Sequence, residues 1–191
     1  MPAVTDVIVL NGGSSSGKSS LARNLQKVLD EPWIALGVDD LLASLAPSLV
    51  GDEPPRAGRP PLIVFGSDGA VHVEPAWRPV EAAWYAGVTA MARAGLGVVL
   101  EEVLLDGVIG QRRLADALAG LSVLWVGVRC APAVAAAREK ARTDAIPRVA
   151  GMATSQAERV HHGVRYDVVV DTSTASIEEC AQVVLAHLER S

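Results

Sequence analysis

The sequence lacks the features that would mark it as a nucleic-acid-binding or membrane protein. It has no dense block of lysine and arginine, and its 22 acidic residues outnumber its 17 basic residues, giving a net charge of −5. No basic patch is therefore expected to meet nucleic-acid phosphates, and a small-molecule partner fits better. No apolar run approaches the ~20 residues that span a bilayer, and the N-terminus shows no secretory signal pattern. We therefore expect a cytoplasmic protein with no membrane partner.

Cysteine is scarce, and no internal repeat is evident. Cys130 and Cys180 lie far apart, with no histidine or cysteine at metal-ligand spacing. This predicts two buried thiols rather than a zinc site or a disulfide scaffold. The 191 residues, of which 50% are hydrophobic, are enough for a single domain with one large core. No pattern in the sequence specifies an oligomeric state.

One glycine-rich stretch has a specific chemical meaning. Residues 12–19 read Gly-Gly-Ser-Ser-Ser-Gly-Lys-Ser and match the pattern G-x-x-x-x-G-K-[ST]. In this pattern backbone N–H groups bind phosphate oxygens, the lysine contacts the β- and γ-phosphates, and the last hydroxyl binds Mg²⁺. The apolar run Val7–Leu10 and the amphipathic segment Ser20–Leu29 supply the strand and the helix that must flank such a loop. The predicted nucleotide-binding residues are Gly12, Gly13, Ser14, Ser15, Ser16, Gly17, Lys18, Ser19 and Ser20.

Acidic pairs follow two other predicted strands. Residues 33–38 lead into Asp39-Asp40, and residues 97–100 lead into Glu101-Glu102. In open α/β sheets ligands bind outside the carboxyl ends of the strands, at the edge that carries the glycine-rich loop. Glu101, together with Ser19, is therefore a candidate for holding Mg²⁺. The alternatives are that one aspartate caps a helix over 41–45 and that the glutamates are simply exposed to solvent.

Two further segments are candidates for the substrate side of a site. Residues 46–61 contain five of the 11 prolines, and the strands predicted at 62–65 and 70–74 flank an Asp-Gly turn, which predicts a hairpin with His72 exposed. The hairpin would form a wall or lid over a pocket. A helix from Pro79 carries Glu81 beside Trp84, and Trp84 is a candidate pocket residue or a core residue.

A basic pair lies on a later helix. Pro132 opens an alanine-rich helix on which Arg138 and Arg142 share one face. The two guanidinium groups could reach one anion, or they could belong to a solvated face. Residues 132–163 are predicted to include a lid, and its His161-His162 pair is expected at the surface.

The remaining pattern predicts the fold class. Further strands are expected at 123–128 and 166–170, and further helices at 111–119 and 176–189. Strands that alternate with helices predict an α/β protein with a parallel sheet and right-handed crossovers.

Over nearly its whole length the sequence resembles the chloramphenicol 3-O-phosphotransferases. The similar stretches are Leu-Asn-Gly-Gly-Ser-Ser at 10–15, Glu-Pro-Trp at 31–33, Gly-Val-Asp at 37–39, the segment 81–84, Met-Ala-Arg-Ala-Gly at 91–95, Leu-Trp-Val-Gly-Val-Arg-Cys at 124–130, Val-Ala-Gly-Met-Ala at 149–153 and Tyr-Asp-Val-Val-Val-Asp-Thr at 166–172. The resemblance implies a three-layer P-loop kinase fold over residues 1–191, with a five-stranded parallel sheet, a hairpin excursion at 46–76 and a lid within 132–163. It also implies that Asp39 is the catalytic base. The sequence departs from the family in having Glu101-Glu102 where the family has an Asp-Asp pair, and in extra residues at 145–147.

These observations lead to one expected activity. We expect an ATP- and Mg²⁺-dependent phosphotransferase that moves the γ-phosphoryl group to a hydroxyl of a small molecule, with an antibiotic such as chloramphenicol as the leading candidate. Asp39 would accept the hydroxyl proton, while Lys18, Arg138 and Arg142 offset developing charge. The expected acceptor contacts are Asp39, Glu81 and Trp84. The alternatives are a kinase for another hydroxylated metabolite or nucleoside, and a nucleotide-dependent switch, although the Asn-Lys-x-Asp motif of switch GTPases is absent.

Overall fold

A computed structural model describes residues 5–51, 60–142 and 150–190. The predictions that concern Pro54, Pro55 and the additional residues at 145–147 lie outside the described residues. The strands are β1 Val7–Asn11, β2 Trp33–Gly37, β3 Ile63–Phe65, β4 Val71–Val73, β5 Gly97–Glu102, β6 Val123–Arg129 and β7 Val168–Asp171. The α-helices are α1 Lys18–Val28, α2 Val38–Ala43, α3 Trp77–Arg93, α4 Val108–Ala117, α5 Pro132–Ala141, α6 Met152–Gln156 and α7 Ile177–Leu188.

A five-stranded parallel sheet forms the middle layer, and its strand order is β2-β5-β1-β6-β7. The continuous apolar run of β1 fits its central position, because a central strand of a parallel sheet is covered on both faces. On one face α1 and α7 pack against residues such as Ile8 and Val126. On the other face α3 and α4 pack against Val7 and Val9. The expected α/β class, with five parallel strands between two helical layers, is confirmed.

The predicted hairpin is also present. Strands β3 and β4 pair antiparallel, with Val64 opposite His72, and His72 is exposed as expected. The hairpin has its own apolar cluster, in which Ile63 and Val71 pack with Trp77 of α3 and Met152 of α6. This cluster fixes the hairpin to two helices that also line the site described below.

Several element boundaries differ from those predicted. Helix α2 begins at Val38 rather than near residue 41, because Gly37 serves as its N-cap and Asp40 completes the first turn. Helix α3 begins at Trp77, before Pro79. Strand β7 begins at Val168, two residues later than predicted. Both cysteines are buried free thiols, as expected. No helix among the described residues is long and apolar enough to cross a membrane.

The expectation that both histidines lie at the surface is wrong for His161. His162 is exposed, but His161 is buried, and its Nδ1 lies 2.6 Å from the Tyr166 hydroxyl. Burial, with the nearby charges of Arg129 and Lys18, lowers the pKa of His161 to about 4. The imidazole is therefore neutral at physiological pH. Its Nδ1 forms a hydrogen bond within a buried network instead of facing water.

That network centres on Asn11, the last residue of β1. Its Nδ2 donates to the carbonyl oxygen of Val160 at 2.8 Å and to the Tyr166 hydroxyl at 2.6 Å. Its Oδ1 accepts from the Leu104 N–H at 3.0 Å. One fully buried side chain, immediately before the glycine-rich loop in the chain, thus joins the loop after β5 to the segment before β7.

We predict that Asn11→Ala lowers the free energy of unfolding by about 2 to 4 kcal/mol, because it leaves buried hydrogen-bonding groups without partners. The matched control is Asn24→Ala on α1, whose side chain makes a long, exposed contact with Glu178. The control should change stability by less than about 0.5 kcal/mol. Urea unfolding followed by circular dichroism measures both, and equal stability of the two variants would contradict this role of Asn11.

Candidate functional site

The glycine-rich loop turns sharply from β1 into α1, and its glycines are required by this path. A Cβ on Gly12 would lie 2.5 Å from the carbonyl oxygen of Val128 on β6, which leaves no room for a side chain. Gly17 has a φ of +93° and is the N-cap of α1. Ser15 also has a positive φ of 58°. The loop therefore lies against β6 and directs its backbone toward the N-terminus of α1, as phosphate binding requires.

Lys18 is held above the loop. Its ammonium donates to the carbonyl oxygens of Gly12 at 2.8 Å and Gly13 at 2.9 Å. These contacts keep the positive charge next to the backbone N–H groups of the loop. The loop and the ammonium together form a site for an anion.

Ser19 and Glu101 are adjacent, as their assignment to one metal site requires. The Ser19 hydroxyl donates to Glu101 Oε2 at 2.6 Å. Burial raises the pKa of Glu101, and the negative charges of Asp39 and Asp40 raise it further. The hydrogen bond from Ser19 and the positive charge of Lys18 oppose this shift. Hydroxyl and carboxylate oxygens are the donors that Mg²⁺ prefers, and Mg²⁺ usually takes only one or two protein carboxylates beside substrate phosphates. The described residues contain no group of three or more His, Cys, Asp or Glu placed to hold a metal.

The two aspartates of α2 have different positions. Asp40 is exposed, and its Oδ2 accepts the Gly37 N–H at 2.8 Å, which stabilises the first turn of α2. Asp39 is half-buried and lines the same cavity as Lys18 and Glu101. Both aspartates therefore border the cavity, and Asp40 also stabilises the start of α2.

Arg138 and Arg142 both line this cavity, which has a volume of about 1230 Å³. The Arg138 guanidinium donates to the Thr172 carbonyl oxygen at 2.7 Å and to the Thr172 hydroxyl at 3.0 Å. The same hydroxyl donates to the carbonyl oxygen of Ser16 in the loop at 2.7 Å. Arg138 is therefore tied to the loop through Thr172, whereas Arg142 is exposed at the end of α5. The role of the pair in neutralising charge stays a prediction.

The other half of the cavity contains Glu81 and Trp84. Glu81 does not present an isolated carboxylate, because it pairs with Arg78 at 2.9 Å and with Arg113 at 2.9 Å. Arg113 also pairs with Asp106 at 2.8 Å, and Arg78 pairs with Asp106 at 3.3 Å. Although burial opposes the shift, the hydrogen bond and charge of Arg113 lower the pKa of Asp106.

This four-residue network was not predicted from the sequence. Arg78 and Glu81 have the spacing of a helical ion pair, which was the one local signal available. Arg113 and Asp106 come from α4 and the segment before it, so only the tertiary structure brings them to α3.

Glu102 is buried rather than exposed to solvent, which corrects one of the two alternatives for the Glu101-Glu102 pair. Burial and the nearby charge of Glu81 raise the pKa of Glu102 to about 8, while a hydrogen bond from Tyr85 opposes the shift. Burial also raises the pKa of Tyr85. The cavity lining thus includes a buried carboxyl group whose charged form is disfavoured.

A phosphate-binding loop after a central strand, carboxylates at the neighbouring strand ends and helices on both faces define the class as a P-loop kinase. Solved structures with this fold include a gluconokinase from Sinorhizobium meliloti 1021, with a TM-score of 0.64 and 20% identity over 100% of this chain and 94% of that one. They also include the Mycobacterium tuberculosis APS kinase CysC in complex with AMPPNP and APS, with a TM-score of 0.59 and 20% identity over 98% of this chain and 99% of that one.

The family follows from the sequence comparisons. The family model of the chloramphenicol phosphotransferase-like proteins matches residues 5–189. Curated relatives from two strains of Mycobacterium tuberculosis, each named "Putative O-phosphotransferase", are 30% identical over 187 residues, covering 92% of this chain and 79% of the relative. The chain belongs to the chloramphenicol phosphotransferase-like family, and it is a phosphotransferase of the P-loop kinase type.

We predict that Lys18→Ala weakens binding of MgADP about 10- to 100-fold, because it removes a charge-assisted contact to a phosphate. The matched control is Lys27→Ala, which lies on the same helix at its exposed C-terminal end. Isothermal titration calorimetry measures both affinities, and circular dichroism checks the fold. Unchanged affinity in Lys18→Ala would contradict the assignment of the loop.

Proposed function

We propose that the protein transfers the γ-phosphoryl group of ATP to a hydroxyl of a small, uncharged molecule. The observation that carries this proposal is the single cavity that Lys18 of the loop shares with Asp39 and with the hairpin wall. Donor and acceptor can meet in such a cavity without leaving the protein. A cytoplasmic location, where ATP is available, belongs to the same proposal.

Each candidate residue has a role that its position supports. The loop backbone and Lys18 bind the phosphates. Ser19 and Glu101 would hold Mg²⁺, which when bound neutralises phosphate charge. Asp39 accepts the proton of the acceptor hydroxyl, and Arg138 and Arg142 offset charge on the transferred group. Most catalysis of phosphoryl transfer comes from this positioning and charge stabilisation.

The charge balance of the acceptor half favours an uncharged acceptor. Arg78 and Arg113 each pair with both Glu81 and Asp106, so two cations and two anions compensate one another. Apolar residues of the hairpin, including Ile63 and Phe65, line the same region. A hydroxylated antibiotic such as chloramphenicol, the substrate that gives the family its name, fits this environment. Another uncharged metabolite or a nucleoside would fit the same description.

A labelling panel tests the proposal. The protein is incubated with ATP labelled at the γ-phosphate, Mg²⁺ and single compounds: chloramphenicol, other hydroxylated antibiotics, nucleosides, and the carboxylates gluconate and shikimate. We expect label on at least one uncharged compound and none on the carboxylates. Preferred labelling of a carboxylate would contradict the uncharged acceptor. Slow ATP hydrolysis with no labelled compound would favour a nucleotide-dependent switch.

With a labelled acceptor in hand, we predict that Asp39→Asn lowers kcat by about 10²- to 10⁴-fold, because the amide cannot accept the hydroxyl proton. Its affinity for ATP should change little. Asp40→Asn is the matched control within the same cavity. It removes the neighbouring charge while its amide oxygen can still accept the Gly37 N–H, so it should retain near-native turnover. Steady-state kinetics with both substrates varied gives the comparison, and equal turnover in the two variants would exclude Asp39 as the base.

A further inference from the structure

Helix α6 contacts the phosphate loop through the buried side chain of Gln156. The Oε1 of Gln156 accepts the backbone N–H of Ser14 at 2.8 Å, and the residue is only 3% exposed. The packing around this bond is tight, since a Cβ on Gly13 would lie 3.2 Å from Gln156 Cβ and 3.3 Å from the Ala157 nitrogen. A movement of the loop at Ser14 therefore acts directly on the C-terminal end of α6.

The same short helix also contacts the hairpin, through Ser155 next to Gln156 and through its first residues. The Ser155 hydroxyl donates to the carbonyl oxygen of Gly69, in the hairpin turn, at 2.9 Å. A Cβ on Gly69 would overlap the backbone of Gly151 and Met152, so the turn and the start of α6 are in direct backbone contact. Met152 packs into the apolar cluster of the hairpin. The proposed acceptor wall and the phosphate loop thus share one helix.

Helix α6 is held as a rigid piece by α5. The Glu139 carboxylate accepts the N–H of Gly151 at 2.9 Å and the N–H of Ala153 at 2.8 Å. Two charge-assisted hydrogen bonds fix the first turn of a helix that has five residues. A displacement at Gln156 is therefore transmitted to Ser155 and Met152 instead of being absorbed within α6.

We propose that α6 couples the acceptor wall to the phosphate loop, and that Gln156 is the positioning residue through which the coupling acts. This inference rests on the proposed function, because it assigns the hairpin to the acceptor and the loop to the nucleotide. It extends that function by making the two substrates bind cooperatively. Because coupling is reciprocal, a bound nucleotide should raise acceptor affinity by the same factor by which a bound acceptor raises nucleotide affinity. Without an acceptor, the coupling should appear as ordering of the hairpin when the nucleotide binds.

Hydrogen exchange tests the coupling without an identified acceptor. Backbone exchange is measured by mass spectrometry with and without saturating MgADP, in wild type, in Gln156→Met and in the control Gln182→Met. Methionine has a similar length but cannot accept the Ser14 N–H, and Gln182 lies on an exposed face of α7. We expect MgADP to slow exchange at residues 63–73 in wild type and in the control. The Gln156→Met variant should lose this hairpin response, keep protection of the loop and bind MgADP about fivefold more weakly.

A second variant acts on the hairpin contact of α6 instead of the loop contact. Ser155→Ala removes the hydrogen bond to Gly69 without touching the loop, so it should also lose the hairpin response while its MgADP affinity stays at the wild-type value. A normal hairpin response in Gln156→Met or in Ser155→Ala would overturn the coupling. The coupling would also be overturned if the wild-type protein bound MgADP with no change in hydrogen exchange at the hairpin. Failure of wild type to bind MgADP would instead overturn the proposed function itself.

Discussion

The structure depends on how the backbone leaves β1. Gly12 passes so close to β6 that no side chain fits, and the Thr172 hydroxyl donates to the carbonyl oxygen of Ser16 from the end of β7. The loop is thus clamped by the two strands on one side of β1. This clamp directs the N-terminus of α1 and the Lys18 ammonium toward the cavity. The acidic strand ends lie near the Lys18 ammonium and the N-terminus of α1 only because the loop is held in this way.

The strand order then determines which carboxylates lie near the first turn of α1. Strand β5 lies between β1 and β2, with Glu101 in register with Leu10 on one side and Gly37 on the other. Glu101 therefore faces the first turn of α1, where its carboxylate meets the Ser19 hydroxyl. The next chain segment after Gly37 carries Asp39 to the same edge. A different strand order would separate these groups even with every local element intact.

The features that could be predicted from the sequence are those that depend on neighbours in the chain. The loop, its flanking strand and helix, the hairpin and the alternation of strands and helices all follow from glycine positions and apolar periodicity. His161, Glu102 and the pairing of Arg113 with Glu81 could not be predicted, because their environments come from residues far away in sequence. His161 looks like a surface residue until the Tyr166 hydroxyl is placed against it. The start of α2 was missed because Gly37 offers no side-chain cap, so only the Asp40 contact reveals it.

The two halves of the cavity differ in how their charges are arranged, and this difference bears on selectivity. The donor half places Lys18 and Arg138 around a loop of backbone N–H groups, an arrangement that suits a polyanion. In the other half Arg78 and Arg113 are paired with Glu81 and Asp106, and burial raises the pKa of the Glu102 carboxyl group. A second charged ligand there would compete with these existing ion pairs for the same partners. Under the proposed function, the enzyme would therefore select its hydroxylated acceptor by shape and hydrogen bonding. The hairpin residues that line the cavity would set the shape of the acceptor site.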